Sequence, residues 1–197
     1  MIKYRFTNSI VFDEVLYRNP EVVIDIVNLF FDRKLHFIKS VEKEHDVKIT
    51  PKHRGVRFDI YAEDEEGNIY VLEMQMYKDK DIKSRIRLYQ GIMDVEQKMK
   101  GESYHLHDTI MIFICDQDQL GDEDAVCEIV RTKKGTRKEF DFGDHCIVLN
   151  ASGNRENLSL EQNAFLDYIR EGKVTDTLTE KLEKLSEKVN EDPSVKD

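Results

Sequence analysis

Residues 56–76 read VRFDIYAEDEEGNIYVLEMQM, and the two alternating runs around Asp64-Glu65-Glu66-Gly67-Asn68 carry the clearest local pattern in the chain. Alternating apolar and polar residues mark a strand, and two such runs around a short glycine-containing segment predict a β-hairpin. With Glu65-Glu66-Gly67 as the loop, Gly67 supplies the positive φ that a three-residue turn needs at its third position. Phe58 then faces Met74, Ile60 faces Leu72 and Ala62 faces Tyr70, which makes one apolar or aromatic face. The other face pairs Arg57 with Gln75, Asp59 with Glu73 and Tyr61 with Val71. A slip of one residue would mix the two sets, and burial of one face opposes such slips.

This register sets two carboxylates directly opposite each other. Like charges so placed destabilise a sheet, so a cation, a raised pKa or a bound metal should compensate. Asp59 and Glu73, with the backbone carbonyl of Met74 nearby, make an oxygen site suited to Mg²⁺ or Mn²⁺. The plainer alternative is that Arg57, diagonal to Glu73, neutralises the pair as a surface salt bridge.

Working outward, residues 7–16 form a helix with Ile10, Val11, Val15 and Leu16 near one face. Asn19-Pro20 starts a second helix, since Asn caps well and Pro suits the first helical position. Strands are expected over residues 35–41 and 47–50. After the hairpin, residues 81–100 read as a helix stopped by Gly101. Residues 109–115 are nearly all apolar, as in a strand buried on both faces. Further strands are expected over 126–132, 138–142 and 146–150. A capping box, Ser159-Leu160-Glu161-Gln162, opens a helix through Ile169. Leu178, Leu182, Leu185 and Val189 form a stripe on a last helix, before a polar tail. Helices, hairpin, helix and buried strand in this order predict a central mixed sheet flanked by helices, an α/β fold.

The chain of 197 residues suffices for one domain with a core. We divide it into a main domain, residues 1–172, and a charged C-terminal helix with a frayed tail, residues 173–197. Apolar residues make up 40% and charged residues 36%, a globular composition with a charged surface. No stretch is long and apolar enough to span a membrane, and the start lacks the apolar core of a secretory signal, so a cytoplasmic location is expected. Cys115, Cys127 and Cys146 form no metal or redox spacing and read as free thiols. The six histidines suggest no zinc site, and no glycine-rich phosphate loop or nucleophile elbow occurs. A net charge of −10 argues against holding nucleic acid by the whole surface, so a DNA-contacting face would have to be segregated. Residues 78–100 offer one, with seven basic residues against four acids. Arg131, Lys133, Lys134, Arg137 and Lys138 form a second cluster, either a hairpin tip that touches DNA or a soluble turn.

Taken in order, Arg57-Phe58-Asp59-Ile60-Tyr61-Ala62, Gly67-Asn68, Glu73-Met74-Gln75, Arg85-Ile86-Arg87-Leu88-Tyr89-Gln90, Gly101, Tyr104 and the strand at 110–114 resemble the PD-(D/E)XK nuclease superfamily. The likeness is to its Rpn-type branch of recombination-promoting nucleases and transposases, and it covers most of the chain. It implies a restriction-endonuclease-like core and hydrolysis of DNA phosphodiesters. Asp59, Glu73 and the Met74 carbonyl would hold Mg²⁺ or Mn²⁺, with Gln75 orienting the attacking water. DNA would be contacted by Arg57, Arg85, Arg87 and Gln90. Two departures stand out. Gln75 replaces the superfamily's lysine, and it can neither carry charge nor act as a base. Ser9 stands where the branch often has an acid; Asp13 or Glu14 could substitute, and Glu14 is taken as the additional acid. Cleavage of both strands of a duplex would favour a homodimer. Two rivals remain: a catalytically degenerate protein of the same fold that binds DNA or protein, and a metal-free acid/base hydrolase acting on sugars.

Overall fold

The computed structural model describes residues 3–48, 55–97 and 105–195. Among them the elements run α1 (Ser9–Arg18), α2 (Pro20–Phe30), β1 (Ser40–Val47), β2 (Val56–Glu63), β3 (Ile69–Gln75), α3 (Ile82–Glu96), β4 (Thr109–Cys115), β5 (Val126–Ile129), β6 (Asp144–Asn150), α4 (Leu160–Glu171) and α5 (Thr177–Glu191). The strands form one sheet in the order β1-β2-β3-β4-β6-β5. The three central strands, β3, β4 and β6, run parallel, and both flanks are antiparallel. This is the mixed α/β sheet expected of a restriction-endonuclease-like core.

Both faces of the sheet are covered. Ile60, Leu72, Ile110, Ile112 and Ile147 pack with Phe12 and Leu16 of α1, Val23 and Ile26 of α2, Phe165 of α4 and Leu182 of α5. Val71, Met111, Phe113 and Val148 pack on the other face with Ile82, Ile86, Tyr89 and Met93 of α3. All seven residues of β4 are buried, as a central parallel strand requires. Cys115 and Cys146 are buried free thiols, and Cys127 is half-buried and also free.

The hairpin turn forms as its residues dictate. Ile60 pairs with Leu72, Tyr61 with Val71, Ala62 with Tyr70 and Glu63 with Ile69. Gly67 has φ +86°, and a β-carbon there would press on the His107 ring. The buried Asp64 carboxylate closes the loop by accepting from the amides of Glu66 and Asn68, the Asn68 side chain and the Tyr70 hydroxyl. Two helix starts follow their caps as well: Asn8 accepts from the Ile10 and Val11 amides, and Ser159 and Gln162 form the full capping box, whereas Asn19 makes no side-chain cap bond to α2 and donates to the Val15 carbonyl instead.

Two expectations about strands move. In place of the strand expected over 35–41, and at the described start of that expected over 47–50, lies β1, Ser40–Val47, while Leu35 and Ile38 are buried outside any strand. Its sequence SVEKEHDV has no apolar face because it is an edge strand, and charge on an edge blocks further pairing. Of the strands at 126–132 and 138–142, only Val126–Ile129 joins the sheet, and a single bridge, Thr132 with Glu139, continues beyond it. Residues 49–50 and 98–104, with Lys98, Lys100, Gly101 and Tyr104, lie outside the described residues.

Replacing Asp64 by Ala strands three buried donors and the half-buried Glu66 amide, and hydrogen bonds to a charged acceptor contribute about 1.5–3 kcal/mol each before relaxation. We expect Asp64→Ala to lower unfolding stability by about 3 kcal/mol in urea titration. A loss below about 1 kcal/mol would mean that the turn forms without this carboxylate.

Candidate active site at the open end of the hairpin

The ladder between β2 and β3 closes at Ile60 and Leu72. Beyond it, two carboxylates take over the bonding that further backbone pairs would have made. The Asp59 amide donates to Glu73 Oε1 at 2.9 Å, and the Met74 amide donates to Asp59 Oδ2 at 3.0 Å. Each acid therefore holds a backbone amide of the opposite strand.

The reason lies one strand further out. Pairing of β1 with β2 passes from Lys43–Ile60 to His45–Phe58 and skips Glu44 and Asp59. Glu44 sits at φ +49°, a strained conformation for a residue with a side chain. At this point β2 turns over. Ile60 and Ala62 pack toward α1 and α2, whereas Val56 and Phe58 pack on the α3 side, with the Phe58 ring 4.9 Å from Tyr89. This corrects the expectation that Phe58, Ile60 and Ala62 share a face. Arg57 also does not face Gln75; its guanidinium bonds Glu44 (2.8 Å) and Asp46 (3.3 Å) of β1.

Glu73 is completely buried, at 0% exposure. Arg85 of α3 reaches it, with Nη2 2.5 Å from Glu73 Oε2. The same guanidinium donates to Gln75 Oε1 (2.8 Å), Asp79 (3.3 Å) and the Tyr89 hydroxyl (3.1 Å). Burial works against the Arg85 charge, but Glu73 outweighs it and its pKa is raised. Gln75 donates to the Tyr77 carbonyl (2.6 Å), so both ends of its amide are engaged. Arg85 thus sits where it supplies the positive charge that Gln75 lacks, and it points inward rather than toward a phosphate. Arg87 is exposed on α3, as are Lys78, Lys80 and Lys83 nearby, and Gln90 is half-buried.

On the other side of Asp59 lies a groove of about 300 Å³ between α1, β1 and β2, lined by Ser9, Ile10, Asp13, Glu14, Lys43, Glu44, Arg57 and Asp59. Glu14, expected as the additional acid, is buried and committed to Arg18 (2.6 Å) and Lys43. Even against the cost of burial, these two cations hold its pKa below the ordinary value. Asp13 differs. It is buried, and its Oδ1 has no hydrogen-bond partner among the described residues. One helical turn separates Ser9 from Asp13, so both line the groove, and this i, i+4 spacing is legible in the sequence.

Three carboxyls here are held above their ordinary pKa. Burial and then Asp59 push Glu73 up to about 8. Burial and then Asp59 do the same for Asp13, also to about 8. Burial raises Asp59 too, against the pull of the Met74 amide and Arg85. Excess negative potential around a buried, unpartnered oxygen suits a hard divalent cation. Among the described residues, no group of three carboxylate, imidazole or thiolate side chains stands arranged as a closed metal centre. Asp13 Oδ1 has no donor to displace, whereas Asp59 Oδ2 is taken by the Met74 amide and Glu73 by the Asp59 amide and Arg85.

The mixed sheet flanked by helices is consistent with a restriction-endonuclease-like fold. The model of the PD-(D/E)XK nuclease family transposases matches residues 10–150, and the chain belongs to that family. Searches of curated proteins and of solved structures give no match. No described helix is long and apolar enough to cross a membrane.

The native state binds more protons than the unfolded chain between about pH 4 and pH 8, because Asp13 moves from its ordinary value to about 8 on folding. That makes stability fall as pH rises through this window. Asp13→Asn should remove the loss. We expect a Tm equal to wild type near pH 4 and higher by roughly 3–6 °C at pH 8.5, a gain of about 1–2 kcal/mol. A constant offset at all pH values would mean that Asp13 is not ionising against Asp59.

Proposed function

We propose that this chain is a divalent-metal-dependent DNA endonuclease of the transposase and recombination-promoting kind. The observation that carries the reading is the reciprocal bridge of Asp59 and Glu73 at the hairpin's open end, with Asp13 buried and unpartnered beside it. Within a strand a residue's N–H and C=O point to the same side, so the Met74 carbonyl is directed with its amide toward Asp59. Asp59, Asp13, that carbonyl and Glu73 would hold Mg²⁺ or Mn²⁺. When bound, such an ion supplies Lewis-acid charge at a phosphoryl oxygen.

The protein's own groups supply the rest. Water attacks phosphorus and gives up a proton to solvent, one bridging P–O bond breaks, and the departing oxygen takes a proton from solvent. Gln75 cannot take a proton from the water, so its part is to orient the water through its amide once Tyr77 releases it. Arg85, on giving up Glu73, offers a fixed positive charge to the pentavalent phosphorus. Exposed Arg87 and Lys78, Lys80 and Lys83 can take the DNA backbone beside the site.

A second reading has its own observation. Arg85, Gln75, Glu73 and Asp79 already satisfy one another in a closed network, as in a scaffold that has lost its chemistry and binds DNA or protein instead.

Supercoiled plasmid nicking separates the two. We expect nicking in Mg²⁺ or Mn²⁺, none in EDTA, and losses of at least about 100-fold in Asp59→Ala and Glu73→Gln, within the range for removing an electrostatic catalytic group. Asp13→Asn should lose more activity than Glu14→Gln. At subsaturating metal, wild-type nicking should rise between about pH 6 and pH 9, because ligands must be deprotonated to bind. A folded wild type that nicks neither duplex nor single-stranded DNA with either metal would establish the scaffold reading.

A further inference from the structure

Residues 130–142 leave the sheet as a two-stranded ribbon continuing β5, and every one of them is exposed. Its register follows from the Thr132–Glu139 bridge, flanked by the Lys133 amide donating to the Lys138 carbonyl and the Phe140 amide donating to the Arg131 carbonyl, both at 2.9 Å. Gly135, at φ +80°, makes the tip. In this register Arg131, Lys133, Lys138, Phe140 and Phe142 lie on one face, because cross-strand partners and alternate residues share a side. By the same alternation the acids Glu139 and Asp141 are directed to the other face with Thr132, while both also border the groove beside Arg131, Phe140 and Phe142. Five basic residues against two acids give the ribbon +3 on a chain of −10.

The cations and rings of this face are arranged together. The Arg131 guanidinium lies 4.7 Å from the Phe142 ring centre and is held there by Asp144. The Lys138 ammonium lies 5.3 Å from the Phe140 ring. Yet Phe142 remains 65% exposed and Phe140 44%. Two large rings left in water under cations, next to unburied Lys133, Lys134 and Arg137, present phosphate-binding charge and stacking surface in alternation. Single-stranded nucleic acid has the matching alternation, because its unpaired bases are free to stack on aromatic rings while its backbone meets cations. A duplex can use only the charge.

We infer that this ribbon is a second nucleic-acid contact that binds single-stranded DNA without metal, through Lys133, Lys134 and Arg137 at phosphates and Phe140 and Phe142 at bases. It is separate from the carboxylate site. β5 is the sheet edge opposite β1, and Ile129 pairs with Cys146 near the start of β6, whereas Gln75 aligns with Cys115 and Asn150 at the other end. The inference needs no catalysis, so it is tested in EDTA with the full chain carrying Glu73→Gln.

The measurement is fluorescence anisotropy of labelled oligo-dT and of a duplex of equal length, over a salt series. We expect tighter binding of the single strand. Lys133→Ala/Lys134→Ala/Arg137→Ala should weaken it at least about 10-fold and reduce the salt slope by about 2, since each phosphate no longer neutralised lowers the slope by about 0.7. Phe140→Ala/Phe142→Ala should weaken the single strand about 10-fold or more and the duplex little. Unchanged affinity in the triple variant would overturn the inference. So would equal effects of the ring variant on both DNAs, or loss of self-association in sedimentation in place of loss of DNA binding. Circular dichroism of each variant controls for folding, which these exposed positions should leave intact.

Discussion

The site depends on one exchange, in which the Asp59 and Glu73 carboxylates each hold a backbone amide of the other's strand. Two opposed acids in a sheet should repel, and the structure answers the repulsion with its own donors. The ladder stops, two amides donate to the acids, Arg85 closes on the far oxygen of Glu73, and the remaining excess appears as raised pKa values. Everything nearby follows from keeping this arrangement. Tyr89 holds Arg85 and the Arg57 carbonyl, and Glu44 accepts a strained φ so that β2 can turn its face at Asp59. A fold that gives up backbone pairing and buries an unpartnered Asp13 at one place does not gain stability by it. Such local conflict is expected where function sets the residues.

How far the sequence reaches is visible along the same hairpin. The turn and the pairs from Ile60–Leu72 to Glu63–Ile69 were legible because everything that sets them is local: Gly67 for the turn, Asp64 for its closure and alternation for the faces. Two residues further on, alternation misled. Phe58 has the same parity as Ile60 but lies on the opposite face, because the strand turns over at a distortion shared with β1. That partner could not be recognised, since SVEKEHDV shows no buried face of its own. Long-range pairing, not local preference, decided both errors.

The acids of α1 make the same point in side-chain terms. Sequence placed Asp13 and Glu14 as neighbours with equal claims, and the choice fell on Glu14. What separates them is who meets them: Lys43 from β1 and Arg18 one turn on both reach Glu14, and neither neutralises Asp13. The cations were in the sequence, but which carboxylate they would reach was not.

Net charge explains why the two basic regions lie apart. On a chain of −10, a phosphate backbone is repelled by most of the surface, so each proposed contact has to be a local island near a place where negative charge is already committed to other partners. The α3 region meets this condition because Glu73 and Asp79 are turned inward on Arg85. The ribbon meets it by register, which sends Glu139 and Asp141 to the face away from Arg131, Lys133 and Lys138. The shared device is geometric sorting of opposite charges a few residues apart. A helix does this through a buried ion pair and a ribbon through its twofold alternation, so an acidic protein can hold a polyanion in two places without changing its overall sign.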